Sequence, residues 1–470
     1  MRLPYFLERI VSTKHMVKED MRRGEITPTR EAYGTSLKIA LPAVAEMVSI
    51  ALMGMIDMVM VGRIGPAAVA SVALTAQPRM LFLSAFFAIN IAATAIIARN
   101  KGAGDMDAAR WCLRHTLVIG LFFGVLLTFV AIYFARPLMG LVGAQPDTIG
   151  PSSAYFSIIG MVLVPQVLTG TICAAQRACG NTKITFKVNV TAKIISVLLN
   201  FLLIEGRFGF PRLEVEGAAI STAIATVVAF FLALASVTRK DSLLKLSFSD
   251  NWRFDRAIMR SLGRLSSGGL MEQLGMRFGF LLYARVVAGL GTQEFAAHAI
   301  TQQLMVLSFA LADGLGAATT SLVGQNLGKK RPDLSIMYGK IGMRLALGTA
   351  ICLATVCILF RFHFPLLFTD DEWIINTTAT LILLLALIQP LQTSQLAMGG
   401  SLRGAGDTRY VAFTMMVSVG VMRPLLGFLF TYPFGWGLIG AWVAIVIDQS
   451  ARLVMLFTRF VGGKWIKAKV

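Results

Sequence analysis

The sequence predicts an all-α membrane protein whose twelve transmembrane helices form two pseudo-symmetric six-helix bundles. The first observation behind this prediction is composition: of 470 residues, 56% are hydrophobic and only 15% are charged. The mean hydropathy of +0.70 lies outside the range of ordinary soluble domains. The second observation is a succession of apolar runs, each long enough to span a bilayer. The third is an internal repeat that relates the two halves of the chain.

The apolar runs are about 20 residues long or longer and number twelve, so we expect twelve spanning helices. The chain before them mixes both charge signs and has no cleavable apolar core. We therefore expect residues 1–33 to be a cytoplasmic tail, either an amphipathic segment on anionic lipid or disordered. The runs lie at about 36–62, 68–98, 112–135, 150–178, 184–206, 215–238, 262–290, 294–324, 338–361, 373–401, 409–431 and 437–460.

The repeat has a fixed offset. The stretch VGRIGPAAVASVALTAQ at 61–77 resembles VAGLGTQEFAAHAITQQ at 287–303, an offset of 226 positions. The same offset pairs Gly102 with Gly328, and QRACGNT at 176–182 with LRGAGDT at 402–408. Matches at several separated places without a gap indicate a duplicated six-helix unit.

A six-span unit returns the chain to its starting side, so both halves share one orientation and relate by a pseudo-twofold along the membrane normal. We expect a cleft between them. The predicted parts are an N-lobe bundle at 34–240, a cytoplasmic connector at 241–260, a C-lobe bundle at 261–462 and a basic cytoplasmic tail at 463–470.

The basic residues decide the predicted orientation. The net charge of +19 could suggest nucleic acid, but these residues occupy loops and do not form one stripe with aromatic side chains. Loops on the N-terminal side of the membrane hold most of them, which is the positive-inside pattern. We therefore predict a multi-pass protein of the cell (inner or plasma) membrane with both termini cytoplasmic, the lipid bilayer as a partner and no nucleic acid.

The sequence lacks several motifs that are typical of nucleotide-driven transporters and of enzymes. There is no GxxxxGK[ST] phosphate loop, and the four histidines are too scattered for a metal site. No catalytic set of serine, histidine and aspartate presents itself. We therefore expect no enzyme activity and no cofactor, and expect transport to run on an ion gradient or an external partner.

Asp57 is the first candidate for that coupling. It lies in the run LPAVAEMVSIALMGMIDMVMVGRIG at 41–65, where a carboxylate at mid-depth costs about 2.5–3.5 kcal/mol and so faces a cavity or a partner. Two interpretations remain open, a proton or cation site and a carboxylate that permanently joins two helices. The repeat favours the first, because Asp57 pairs with Tyr283 and is not copied, whereas Glu46 pairs with Glu272 as shared scaffold.

Other polar residues in the spans form a second tier of candidates. Asn200 and Ser196 are four apart on the fifth span and so share a face. Each alone is typical of an interhelical hydrogen bond, and with Asp57 they would form an oxygen-rich site. The C-lobe charges are interpreted as structural ion pairs, with coupling or substrate binding as the alternative. They are Glu272, Arg277, Arg285, Asp313, Arg423 and Asp448.

Several of these stretches together resemble one known family. They are ID at 56–57 followed by MVG, AAVASVAL, GTQEFAAHAI, ATTSLVGQNLG and GSLRGAGDTR, and the resemblance covers about residues 35–460. The sequence is similar to the multidrug and toxic compound extrusion (MATE) transporters. The resemblance implies twelve helices in two lobes and export of amphipathic, cationic small molecules in exchange for protons or sodium ions by alternating access.

The resemblance also implies residue roles. The family's N-lobe cation site falls on Asp57 with Asn200, and Ser196, Thr169 and Thr222 become nearby polar residues. Sodium-coupled relatives carry an acid where this chain has Gln392, and another where it has Met276, one turn from Glu272. This departure favours proton coupling through Asp57, with a sodium ion there as the alternative. Glu272, Gln392 and Asp313 remain candidates for a C-lobe cavity or coupling site.

The predicted function is thus a secondary antiporter for small molecules that works as a monomer. The alternative is a flippase for a lipid-linked oligosaccharide or another lipid, which shares the general two-lobe plan. That alternative would need arginines facing a pyrophosphate, and the candidates are Arg277, Arg285 and Arg423.

Overall fold

Helices make up the regular structure of the protein, and the described residues contain no strand. The computed structural model describes residues 12–142, 144–146, 148–204, 206–239, 242–246 and 255–468. The helices are α1 (Thr29–Gly62), α2 (Pro66–Ala103), α3 (Met106–Tyr133), α4 (Ala135–Leu141), α5 (Ile149–Met161), α6 (Leu163–Ala178), α7 (Thr182–Leu203), α8 (Glu214–Thr238), α9 (Arg256–Ala288), α10 (Thr292–Gly328), α11 (Pro332–Leu359), α12 (Glu372–Gly404), α13 (Thr408–Met415), α14 (Arg423–Thr431) and α15 (Gly437–Val461).

The predicted all-α membrane fold is confirmed, and each predicted span corresponds to helix. Ten helices of the described chain are long and apolar enough to cross a membrane, and the bent pair α5 and α6 makes an eleventh span with a 52° break. The remaining span is α9, which falls below the hydropathy expected of a span because it carries several charges. These are Arg256, Arg260, Arg264, Glu272, Arg277 and Arg285.

The span formed by α13 and α14 is continuous but changes its winding. Between α13 and α14, residues Met416–Met422 form a π-helix. Single π-helical turns inside α-helices frequently occur at functional sites. Here the π-helical stretch contains Ser418 and ends directly before Arg423, and both side chains bond to charged residues of α15.

The contacts of the chain divide it into two compact units. Unit 1 comprises the described parts of Met1–Met47, Ala98–Gly104 and Ser267–Val470, and unit 2 comprises those of Val48–Ile97 and Asp105–Ser266. This division differs from the predicted lobe boundaries, because the start of α1 and the end of α2 group with the second half. The predicted connector at 241–260 lies partly outside the described residues.

Unit 1 is held together by close backbone contact between α10 and α12. A Cβ on Gly400 would lie 2.4 Å from the Gly316 carbonyl oxygen, and one on Gly404 would lie 2.2 Å from that of Thr320. The Thr320 hydroxyl donates to the Gly400 carbonyl at 2.8 Å. Small residues bring membrane helices close enough for such contacts, which replace the hydrophobic drive that lipid cannot supply.

The described part of the N-terminal tail is ordered against unit 1, unlike the lipid-bound or disordered tail expected for residues 1–33. Met16 is 2% exposed and belongs to the same apolar core cluster as Trp465. The Lys340 ammonium donates to the Met16 carbonyl at 2.6 Å, and the Arg331 guanidinium donates to the Glu25 carbonyl at 2.7 Å. The apolar residues Met16 and Val17 of the described tail are thus buried against protein. Residues 1–11 lie outside the described residues.

Candidate functional site

Asp57 lies in unit 2, on the second half of α1, and both of its carboxylate oxygens accept hydrogen bonds from α7. The Asn200 amide donates to Oδ1 at 2.8 Å, and the Lys193 ammonium donates to Oδ2 at 3.2 Å. The structure therefore brings together the predicted pair of Asp57 and Asn200, and adds a lysine that was not predicted. Side-chain exposure of 22% for Asp57 and 29% for Lys193 leaves the ion pair within reach of water.

One face of α7 supplies both donors. Lys193 and Asn200 are seven residues apart, close to two helical turns, so they point the same way. Ser196 lies between them on that face. It is 1% exposed, and its hydroxyl has no hydrogen-bond partner among the described residues. The Asn200 side-chain oxygen is likewise buried and unpartnered there. The site thus holds two oxygens that could accept further bonds.

Lys193 was missed in the sequence, although a signal was present. A lysine inside the apolar run 184–206 is costly in a membrane unless it has a partner. Its spacing of seven from Asn200 would have placed it on the candidate face. The sequence does not show which carboxylate pairs with Lys193, because that depends on how α1 packs against α7.

Tyr155 of α5 connects Thr222 to this site. Its phenol lies near the Thr222 hydroxyl and within electrostatic range of Asp57 and of Arg79. Among the described residues, Thr222 is thus linked to Asp57 only through Tyr155. Thr169 has no such link in the described structure, because its hydroxyl donates to the Pro165 carbonyl one turn earlier on α6 at 2.7 Å.

Nitrogen donors contact both oxygens of the Asp57 carboxylate. Hard metal cations bind several oxygen ligands, but each Asp57 oxygen accepts a bond from a nitrogen donor. The Lys193 ammonium already places a positive charge at the carboxylate. Among the described residues, no group of three or more histidine, cysteine, aspartate or glutamate side chains could hold a metal ion.

The C-lobe candidates lie in unit 1 and make different contacts. Glu272 is 1% exposed and forms a short ion pair with Arg403 of α12. Asp313 acts electrostatically on the same arginine. Gln392 is fully buried, and neither end of its amide has a hydrogen-bond partner among the described residues. Gln395 of the same helix shares this condition, so bound water is the expected partner of both amides.

A buried ion network centres on Asp448. Arg423 donates to this carboxylate at 2.9 and 2.5 Å, and Arg452 donates to it at 2.8 and 2.7 Å. Arg452 also donates to the Ser418 hydroxyl at 2.9 Å. The structural ion pairs expected of the C-lobe charges are therefore present. Arg452 was missed, although its spacing of four from Asp448 on α15 is the spacing of a same-face pair.

Comparison with known proteins decides the family. The MatE family model matches this chain twice, at residues 42–202 and 270–429, once in each half. The chain belongs to the MATE family. It is therefore a multi-pass inner-membrane transporter and not an enzyme, and the two matches agree with the repeat in the sequence.

Curated relatives cover nearly the whole MATE chain. The multidrug resistance protein PmpM of Pseudomonas aeruginosa is 28% identical over 90% of each chain. The probable multidrug resistance protein NorM of Thermotoga maritima is 27% identical over 92% of this chain and 93% of its own. The uncharacterized transporter YisQ of Bacillus subtilis is 26% identical over 88% and 91%.

Solved structures share the fold. A MOP superfamily transporter from Pyrococcus furiosus, described with a binding pocket of reverse polarity, superposes with a TM-score of 0.86 at 20% identity over 93% of this chain and 97% of its own. A multidrug resistance MATE family transporter in an outward-facing conformation gives the same TM-score and coverage. The sequence identity is low, so these similarities show the fold alone.

Proposed function

We propose that this MATE transporter is a secondary antiporter that exports amphipathic, cationic small molecules in exchange for protons, with Asp57 as the coupling carboxylate. The observation that carries the proposal is the half-buried carboxylate of Asp57 in a membrane span, paired with side chains of another helix. Relatives named as multidrug resistance proteins support export of small molecules. In this proposal both termini face the cytoplasm, as loop charge predicts, and the monomer is the functional unit.

A proton at Asp57 would change the contacts between α1 and α7. Protonation removes the negative charge, so the Lys193 ammonium loses its counter-charge while the Asn200 amide can still donate to the carbonyl oxygen. The hydrogen bonds that join the two helices would then differ between the protonated and deprotonated forms. Such a difference is what a coupling ion needs, since a ligand shifts an equilibrium only by its differential affinity for the two states.

The charge balance sets the driving force. When one proton enters for each monovalent cation that leaves, no net charge crosses the membrane, so the electrical term cancels. One pH unit then supplies about 1.4 kcal/mol, enough for a roughly tenfold concentration gradient. With a neutral substrate, a membrane potential of 100 mV would add about 2.3 kcal/mol.

The test is transport in proteoliposomes with a fluorescent lipophilic monovalent cation such as ethidium. We expect an imposed pH gradient to drive the dye into or out of the vesicles, depending on the direction of the gradient. A potassium diffusion potential alone should have little effect on dye transport. Asp57→Asn keeps the shape of the side chain but cannot take up a proton, so it should reduce gradient-driven transport at least tenfold.

Asp107→Asn serves as the matched control, since Asp107 is 84% exposed and lies in the same unit. It should transport like the unmodified protein. Undiminished gradient-driven transport by a folded Asp57→Asn protein would contradict the proposal.

The flippase alternative receives less support from the described residues. It needs arginines that face a pyrophosphate, but Arg423 is 1% exposed and bonded to Asp448. Arg277 also has an interaction partner. Binding of a lipid-linked pyrophosphate by the purified protein would favour the flippase.

A further inference from the structure

We propose that Lys193 sets the ion selectivity of the Asp57 site, because its ammonium occupies the position on the carboxylate that a metal cation would take and so restricts coupling to protons. This inference rests on the proposed function, in which Asp57 is the coupling carboxylate. It adds the specificity-determining residue of that site.

The contact geometry is that of a bound cation. The Lys193 ammonium lies 3.2 Å from Asp57 Oδ2, and the Asn200 amide lies 2.8 Å from Oδ1. Each carboxylate oxygen thus has a donor in place. A sodium ion approaching Oδ2 would have to displace the ammonium, which carries the same charge.

Tethering makes this displacement unfavourable for sodium. A cation held on the adjacent helix competes for the carboxylate within the same molecule, at an effective concentration set by its attachment to that helix. A proton differs from sodium, because it forms a covalent O–H bond with one oxygen and needs no shell of ligands. It can therefore neutralise Asp57 while Lys193, still an ammonium, moves towards water. When the proton leaves, the ion pair re-forms and one proton has been transferred.

Unpartnered oxygens on the same face of α7 provide a second, independent observation. Ser196 Oγ and Asn200 Oδ1 are buried, and neither has a hydrogen-bond partner among the described residues. With the Asp57 carboxylate they offer the oxygen ligands that a hard cation prefers. The site therefore contains the ligand types of a sodium site together with a lysine that fills it. Removing the lysine charge should reveal sodium binding.

Other charged and titratable groups near the site bear on the size of the effect. Tyr155 of α5 lies within electrostatic range of both Asp57 and Arg79 of α2. Both groups remain after Lys193 is replaced. With one carboxylate as the charged ligand, we expect sodium to bind in the millimolar range or weaker.

The experiment measures sodium binding without transport. Purified full-length protein in detergent is unfolded thermally at about pH 8 in sodium chloride and in choline chloride at equal ionic strength. Lys193→Met has nearly the same length without the charge and should show a sodium-specific rise in Tm of the order of 2 °C or more, because a ligand of the folded state stabilises it. The unmodified protein and Lys193→Arg, which keeps the charge, should show none.

Further variants make each outcome decisive. Adding Asp57→Asn to Lys193→Met should abolish the sodium response, since the carboxylate is its principal ligand. A sodium-specific shift of equal size in the unmodified protein would overturn the proposal, and so would no shift in a Lys193→Met protein that unfolds cooperatively in choline chloride. If the ion pair were merely structural, its loss in Lys193→Met would lower Tm equally in both salts. Failure of the proposed function would appear separately, as absence of proton-driven transport by the unmodified protein.

Discussion

Asp57 and Asp448 are both carboxylates on membrane-spanning helices, and their surroundings give them different capacities. Asp57 has one cationic partner and a side chain that is 22% exposed. Asp448 is completely buried between two arginines. Its two guanidinium partners suit Asp448 to joining α14 to α15, as a structural contact between helices.

Replacement of Asp448 tests this structural role. Asp448→Asn leaves Arg423 and Arg452 buried without their counter-charge, and breaking a buried ion pair in this way costs about 3–5 kcal/mol. We expect a correspondingly large fall in Tm of the purified protein. Asp107→Asn breaks the exposed pair with Arg110 and should cost no more than about 1 kcal/mol. Equal effects of the two variants would show that the Asp448 network adds no stability.

At the scale of elements, the repeat reappears as a reciprocal contact in unit 1. A Cβ on Gly102, at the end of α2, would lie 1.8 Å from the Gln325 carbonyl oxygen. One on Gly328, at the end of α10, would lie 1.9 Å from the Arg99 carbonyl oxygen. Both glycines and both of their partners are related by the offset of 226 positions. The duplicated sequence therefore forms a contact in which the equivalent glycine of each repeat packs against the backbone of the other repeat.

Gly328→Ala tests this contact. The added methyl group would overlap backbone, which cannot yield as a flexible side chain can, so we expect a loss of about 1–3 kcal/mol or more in the free energy of unfolding. Gly348→Ala is the matched control in α11, where a Cβ meets nothing within 4 Å. It should stabilise the protein by about 0.5–1 kcal/mol through helix propensity. An unchanged free energy of unfolding in Gly328→Ala would show that the two helix ends can separate without cost.

At the scale of the whole molecule, charge placement and the number of spans predict the orientation. Twelve spans would return the chain to its starting side, and the loops on that side hold most of the basic residues. The described parts of the N-terminal tail and of the C-terminal segment share one apolar cluster, through Met16 and Trp465. This shared cluster agrees with the prediction that both segments lie on the same side of the membrane.

Reporter fusions test the orientation. Green fluorescent protein joined after residue 470 should fluoresce, and alkaline phosphatase at the same place should be inactive, because both would face the cytoplasm. The control is a chain truncated after Phe434, in the loop before α15, which should reverse both signals. An active phosphatase after residue 470 would contradict the cytoplasmic location of the C-terminus.

The sequence by itself determined the properties that depend on local composition and spacing. Hydrophobic runs predicted the twelve spans, the offset predicted the duplication, and the family resemblance paired Asp57 with Asn200. What it missed were contacts between distant helices: Lys193 with Asp57, Arg403 with Glu272, and Met16 with the core of unit 1. Only tertiary structure decided these, because whether two side chains meet depends on how each helix is rotated and packed against its neighbours. A single sequence shows which residues share a helix face, but not which other helix that face contacts.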